Sequence, residues 1–148
     1  MPDLVRSLGL AALSMVAAAA ASAQTPRVID MKGTWKSGIE LILEGGTPHV
    51  PPTAESKPAG KYRLTTTEFT YKFEGQEGRR FWGTIDSANA KGGRQIGSVS
   101  LDGKWIYVVG DRSVIEGTIV DSDTIEVCVR HLGTSSAFVG CGVMKRQK

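Results

Sequence analysis

Histidine and cysteine are scarce in this chain, with two of each among 148 residues. A structural zinc site needs about four ligands at suitable spacing, and these residues are too few to make one. The two cysteines, Cys128 and Cys141, are too far apart to form the C-x-x-C motif of thiol redox proteins. We therefore expect no bound metal and no cofactor.

Arrangements of residues typical of catalysis are missing as well. His49 lies in a proline-rich stretch and His131 at the shoulder of a predicted hairpin, and neither has a recognisable triad partner. We expect both histidines at the surface. Asp121 and Asp123 flank Ser122, which is typical of a turn rather than of a calcium loop, because calcium needs more oxygen ligands. The sequence predicts a protein that is not an enzyme.

A strong excess of charge of either sign is also missing, since the formal net charge is +3. The basic runs are Arg79-Arg80 and residues 145–148, and neither is interleaved with aromatic residues as a nucleic-acid site would be. We interpret both runs as solvated surface and expect no nucleic-acid partner.

Long apolar runs are limited to residues 8–21, which follow Arg6 and end near Ala21-Ser22-Ala23. This is the pattern of a secretory signal peptide cleaved after Ala23, and the run is shorter than the roughly 20 residues of a membrane span. The sequence predicts a leader over residues 1–23, one domain over residues 24–148, and a mature chain in the periplasm or outside the cell. No membrane span is expected in the mature chain.

The two cysteines flank a predicted hairpin, with strands over residues 124–130 and 137–145. A turn centred between Thr134 and Ser135 places Cys128 directly opposite Cys141, with a Cα–Cα distance of about 4.5 to 5.5 Å. Exported domains form disulfides because their compartment is oxidising. We therefore predict a Cys128–Cys141 bridge, which stabilises the fold by roughly 3 kcal/mol in the chain-entropy model.

Helical periodicity is missing from residues 24–148, whereas turn signals recur about every ten residues. This pattern is typical of a small sandwich or an up-and-down barrel, and we predict an all-β, eight-stranded antiparallel up-and-down barrel. Most of the strands are too short for an outer-membrane barrel, whose strands need about 9 to 11 residues.

Individual strands follow from alternating apolar residues. Residues 30–44 predict a half-buried strand that is interrupted at Ser37-Gly38, and the four prolines of residues 45–60 predict one long loop. Residues 61–74 predict a change of face at Thr66-Thr67. The stretch at 75–78 predicts a turn, after which residues 79–86 form a strand with an undecided inward face, because a one-residue slip exchanges Phe81 for Trp82. Asp102-Gly103 predicts a further hairpin.

Gly33-x-Trp35 at the start of the first strand, with Arg146 just after the last, resembles the pattern of the calycins, the barrels of lipocalins and avidins. The resemblance implies that Trp35 closes the barrel floor and that a basic side chain, Arg146 or Lys145, packs over its ring. The chain also resembles a group of small exported bacterial proteins that share GQEGRRFWGTI, DGKWIY and DSDTIEVC. That resemblance implies the compartment and the fold.

Binding is the function that we expect of such a barrel, because eight strands enclose room for side chains or one small ligand. A small hydrophobic or aromatic ligand is the first hypothesis, with an interior wall formed by Tyr62, Tyr71, Trp82, Trp105 and Tyr107. The alternative is a module that binds a periplasmic protein, such as a hydrolase inhibitor, through the loops at residues 45–60 and 86–94.

Overall fold

The computed structural model describes residues 28–148; residues 1–27, which include the predicted signal peptide, lie outside the described part. Over residues 28–148 every regular element is a β-strand. The strands are β1 (Gly33–Glu44), β2 (Lys57–Ala59), β3 (Tyr62–Glu77), β4 (Arg80–Asp86), β5 (Gly93–Val99), β6 (Trp105–Gly110), β7 (Val114–Ile119), β8 (Thr124–Leu132) and β9 (Ala137–Arg146).

The sheet closes into a barrel because β1 pairs antiparallel with both β9 and β3. The other seven strands of the ring pair with their neighbours in chain order, and β2 pairs only with β3. The predicted eight-stranded antiparallel barrel is confirmed. The predicted loop over residues 45–60 does contain a strand, the short β2, and Pro58 is compatible with it because β2 is an edge strand.

Strand β1 alternates as the sequence predicts, with Trp35 and Ile39 buried and Lys36 exposed. The predicted interruption at Ser37-Gly38 is wrong, since pairing with β3 and β9 continues through both residues without a shift. Ser37 is buried in phase with the apolar residues, and Gly38 faces open space outside the barrel.

Strand β3 keeps one face inward from Arg63 to Phe73, so the predicted change of face at Thr66-Thr67 is also wrong. Tyr62 and Leu64 suggested the opposite phase because they are large and apolar, yet both point outward and are partly exposed. The irregularity of this strand lies further along, between Phe73 and Gly75, where the register with β4 shifts.

The turn between β3 and β4 decides which face of β4 is inward. β3 continues to Glu77 and β4 begins at Arg80, so the turn consists of Gly78 and Arg79 rather than of residues 75–78. Gly78 has a φ of +57°, which glycine adopts without strain. With this two-residue turn Phe81 is buried and Trp82 lies outside.

The predicted disulfide is confirmed: Cys128 and Cys141 face each other across the β8–β9 ladder and are bonded. Their Cα atoms are 4.0 Å apart, which is closer than expected. Both cysteines are exposed on the outer face, so the bridge lies outside the core.

Successive antiparallel strands reverse direction, so the connections alternate between the two ends of the barrel. The connections β3–β4, β5–β6 and β7–β8 lie at one end, together with Trp35 and Arg146. We call this the closed end. The connection from β1 to β3 and the loops β4–β5, β6–β7 and β8–β9 lie at the other, the open end. The core of buried side chains fills the interior between them.

Candidate functional site

The closed end is sealed by an aromatic side chain under a cation. Trp35 is fully buried, and its indole N–H donates to the carbonyl of Met31 at 2.9 Å. The Arg146 guanidinium carbon lies 4.2 Å from the centroid of the Trp35 ring. Arg146 also donates to the Asp123 carboxylate at 2.9 Å and to the Lys32 carbonyl at 2.6 Å. Such a cation over an indole face is a favourable electrostatic contact.

Gly33 completes this plug. Its φ is +114°, a conformation that side chains disfavour, and a Cβ built on it would lie 3.6 Å from the Arg146 guanidinium. Arg146 is the basic residue that covers Trp35, whereas Lys145 is exposed on the outer face. The three residues singled out from the sequence, Gly33, Trp35 and Arg146, therefore meet at the closed end.

A cavity of about 430 Å³ lies at the open end. Residues of five strands, β3, β4, β5, β8 and β9, meet there, and more of the lining surface is apolar than polar. The apolar lining consists of Phe69, Tyr71, Ile85, Val129 and Phe138. The loops at residues 47–49, 90–94 and 111–113 surround its opening. A volume of this size is typical of small-ligand sites.

Five aromatic residues were predicted to form the interior wall, and one of them, Tyr71, lines this cavity. The expectation is wrong for the other four, which point outward and keep 38% to 49% of their surface exposed. Side chains alternate along a strand, so a position one residue from an inward neighbour must face outward. These four residues are Tyr62, Trp82, Trp105 and Tyr107.

Both histidines line the cavity. The expectation of a surface residue is wrong for His131, which is buried, whereas His49 is half-buried. His131 is only 7% exposed; its Nδ1–H donates to the carbonyl of Arg112, and its Nε2 lies 3.0 Å from the Ser136 hydroxyl. Its ring stacks on Phe138, with centroids 5.1 Å apart. The sequence carried a signal for this burial, because His131 continues the inward phase of β8 after Val129.

His49 comes from the long loop between β1 and β2 and has no periodic signal in the sequence. Its Nδ1 lies 3.0 Å from the Ser87 hydroxyl, which already accepts the backbone N–H groups of Asn89 and Ala90. The Ser87 hydroxyl therefore donates to Nδ1, which leaves the imidazole proton on Nε2. Burial lowers the pKa of His49 below 6.5, and the nearby Asp86 partly opposes this effect.

Two further polar groups belong to the lining. Burial raises the pKa of Tyr71 to about 12, with a smaller opposing effect from the Ser37 hydroxyl, so the phenol stays neutral at physiological pH. Gln95 is 3% exposed, and its side-chain oxygen has no hydrogen-bond partner among the residues described. A buried acceptor without a partner costs free energy, and such groups are uncommon in folded proteins. Sequence reasoning missed Gln95 because it lies in an ordinary strand pattern.

The cavity opening carries four charged residues, which we call the rim: Lys91, Arg94, Asp111 and Arg112. Arg94 in β5 and Asp111 in the β6–β7 loop form an ion pair at 3.0 Å. The rim has three cations and one carboxylate, so it carries a net positive charge.

The outer face of β4 to β7 carries a row of exposed apolar residues. Trp82 lies opposite Ile96, Ile96 opposite Val109, and Val109 opposite Val114, so the four form one line across neighbouring strands. Ile96 is the most exposed of them, at 65%. We call these four residues the outer row.

Fold and site together define a closed antiparallel barrel with one disulfide, a sealed end and a cavity at the other end. Compared with known proteins, the chain matches no family model and no curated sequence. Within the described residues, no three His, Cys, Asp or Glu side chains group so that they could hold a metal ion. Over the same range, 28–148, no helix is long and apolar enough to cross a membrane.

Proposed function

We propose that this protein binds a small hydrophobic or aromatic molecule in the cavity at the open end, and that binding rather than catalysis is its function. The observation that carries the proposal is the cavity of about 430 Å³, lined by aromatic and aliphatic side chains in a barrel whose other end is sealed. Transfer of apolar surface from water into such a lining is favourable, by roughly 25 cal/mol per Å².

The composition of the lining supports the proposal that the cavity is a ligand-binding site. Ligand sites are mostly apolar with a few placed polar groups that orient the bound molecule. This cavity has that composition, with Phe69, Tyr71 and Phe138 beside His49 and Gln95. The calycin resemblance, which the sequence suggests, agrees with a binding role at an open barrel end.

Export to the periplasm or beyond is part of the same proposal. The leader pattern over residues 1–23 supports it, and so does the Cys128–Cys141 bridge, since disulfides form and persist in oxidising compartments.

Native mass spectrometry of the protein recovered from the periplasm, compared with the denatured mass, tests this proposal. The denatured mass should equal residues 24–148 less the two hydrogens removed by the disulfide. The native ion should be heavier by the mass of a retained ligand. A leader still attached to protein in the periplasmic fraction would contradict the cleavage after Ala23.

A pair of matched substitutions, one inside the cavity and one outside it, locates the ligand. Val129→Phe fills the lining with a larger side chain, whereas Val143→Phe makes the same change on the exposed face of β9. The excess mass should vanish in the first variant and persist in the second, with both variants folded by melting temperature. Equal retention of ligand by the two variants would place the ligand elsewhere and overturn the proposal.

A protein partner is the second candidate, and the outer row is the observation that favours it. Four aligned apolar residues on a sheet face are more than scattered surface hydrophobics. A stoichiometric protein complex in the native spectrum that is lost in Trp82→Ser with Ile96→Ser would support it. A bare monomer would count against it.

A further inference from the structure

We propose that the ligand is an organic anion, whose acidic group lies at the rim beside Lys91 and Arg112 while its apolar body fills the cavity. This inference rests on the binding function proposed above and specifies the chemical class of the ligand.

The first step is the balance of charge at the rim. Asp111 is the carboxylate of the lining, and it is already engaged, since Arg94 donates to it through Nε at 3.2 Å and Nη2 at 3.0 Å. Lys91 and Arg112 have no carboxylate within ion-pair distance among the residues described. Two cations at the cavity opening are therefore available to a ligand.

Asp86 is the other acidic group near this opening. Its carboxylate accepts from Lys72 at 3.0 Å and from the Gly92 N–H at 2.9 Å. It is close enough to Lys91 for that cation to contribute to its lowered pKa, but its first partners are the Gly92 N–H and Lys72. Asp86 therefore offsets part of the charge of Lys91 without forming an ion pair with it.

The second step is the fixed geometry of the rim. The Arg112 carbonyl accepts the hydrogen bond from the buried His131 ring, which holds the backbone of the β6–β7 loop against the cavity. The Arg94–Asp111 pair ties this loop to β5. In the loop of Lys91, the Ser87 N–H donates to the Ala90 carbonyl at 2.7 Å and the Gly92 N–H donates to Asp86. Both loops are thus held by hydrogen bonds, and less backbone entropy is lost when Arg112 and Lys91 bind an anion.

The third step is the polar content of the lining. With its proton on Nε2, His49 presents a donor that has no hydrogen-bond partner among the described residues. A donor of this kind suits an acidic group that enters below the rim. This donor and the rim cations point to a ligand with an acidic head, and the lining around Phe69 and Phe138 points to an apolar body.

Two fluorescent probes test the inference, because they share one ring system and differ by a single anionic group. 1-Anilinonaphthalene-8-sulfonate carries a sulfonate on the ring system of the uncharged N-phenyl-1-naphthylamine. Binding of each is measured by fluorescence titration at low and high salt. We expect the anionic probe to bind about threefold to thirtyfold more tightly at low salt, as two partly exposed charge contacts allow. High salt should reduce this preference, because it screens exposed charges.

Matched double variants assign the preference to the rim. Lys91→Gln with Arg112→Gln should abolish this preference, measured as the ratio of the affinities for the two probes. Lys36→Gln with Lys145→Gln removes the same net charge from paired outward positions of β1 and β9, and should leave the preference intact. If both double variants lose it equally, net charge alone is responsible and the inference is overturned.

The outcomes separate this inference from the proposed function. Binding of the uncharged probe, lost in Val129→Phe, without preference for the anion would overturn the anionic ligand and leave the cavity function standing. Binding of neither probe to the wild-type protein would overturn both. A preference for the anion that survives in Val129→Phe would show that the anion binds outside the cavity and would overturn the inference.

Discussion

His131, His49 and Gln95 all line the cavity at the open end, and they differ in how many hydrogen-bond partners their polar atoms have. His131 has partners for both ring nitrogens, whereas His49 has one and the Gln95 oxygen has none among the described residues. Burial of a polar group without a partner costs free energy. His131 is therefore held by its two partners, whereas His49 keeps one ring nitrogen for a further contact.

At the residue scale, we predict that His49 titrates below 6.5, because burial of the imidazolium outweighs the attraction of Asp86. The unfolded chain then binds a proton near 6.5 that the folded protein does not yet bind. The free energy of unfolding should therefore fall as pH is lowered through 6.5, and stop falling once pH passes below the folded pKa. Histidine NMR titration measures the pKa directly.

Two variants sharpen this prediction. Asp86→Asn should lower the pKa of His49 further, since the carboxylate opposes the effect of burial. His49→Gln should remove its share of the pH dependence, so the wild-type minus variant difference in unfolding free energy isolates it. A His49 pKa at or above 6.5 would show that Asp86 dominates over burial.

At the element scale, β9 is unusual in having glycines at two consecutive inward positions, Gly140 and Gly142. A Cβ on Gly140 would lie 2.0 Å from the Glu40 carbonyl oxygen, and one on Gly142 would lie 2.0 Å from that of Gly38. Both contacts are to the backbone of β1, which cannot rotate away as a side chain would. The pairing of β9 with β1, which closes the barrel, therefore depends on the absence of side chains there.

Gly140→Ala should consequently destabilise the protein by about 1 to 3 kcal/mol, the usual cost of an overpacked site. Gly38→Ala is the matched control, because its Cβ would meet nothing within 4 Å and its strand position favours any side chain. The control should leave the free energy of unfolding unchanged or raise it by up to about 1 kcal/mol, because glycine within a strand is less favourable than alanine. Urea unfolding of both variants measures the difference, and equal destabilisation would refute the role of close backbone approach.

At the scale of the whole molecule, the barrel combines a sealed end, a closed ring and an open end with a cavity. The disulfide links β8 to β9, and β9 in turn pairs with β1, so the bridge lies next to the closure of the ring. Because both cysteines are exposed outside the core, the bridge restricts the unfolded chain without contributing to the cavity lining.

We predict that Cys141→Ser lowers the free energy of unfolding by about 2 to 4 kcal/mol while the barrel and its cavity persist. Thermal unfolding under non-reducing conditions measures the loss, and the far-ultraviolet circular dichroism spectrum should stay unchanged. Wild-type protein treated with a reductant should match the variant, since the exposed bridge is accessible. An unchanged melting temperature would mean that the bridge contributes nothing to stability.

Local pattern was sufficient for much of the fold. Alternation with period two revealed most strands, and the symmetry of a hairpin paired Cys128 with Cys141 from their positions alone. Local pattern did not reveal which face of β4 is inward, because adding or removing one residue in the preceding turn exchanges the two faces. It also gave the wrong inward face for the start of β3. Tyr62 and Trp82 have the same apolar character as inward residues, so their composition could not reveal their side.

The sequence by itself therefore determined most of the strands, their antiparallel pairing with chain neighbours and the disulfide, since these follow from local periodicity and from hairpin geometry. Only the tertiary structure decided the candidate site. His49, Gln95, Arg112 and His131 come from four separate segments, and their meeting depends on how the closed ring brings the ends of distant strands together. Closure of the barrel is a long-range event, and no local pattern of residues specifies which side chains it places around one cavity.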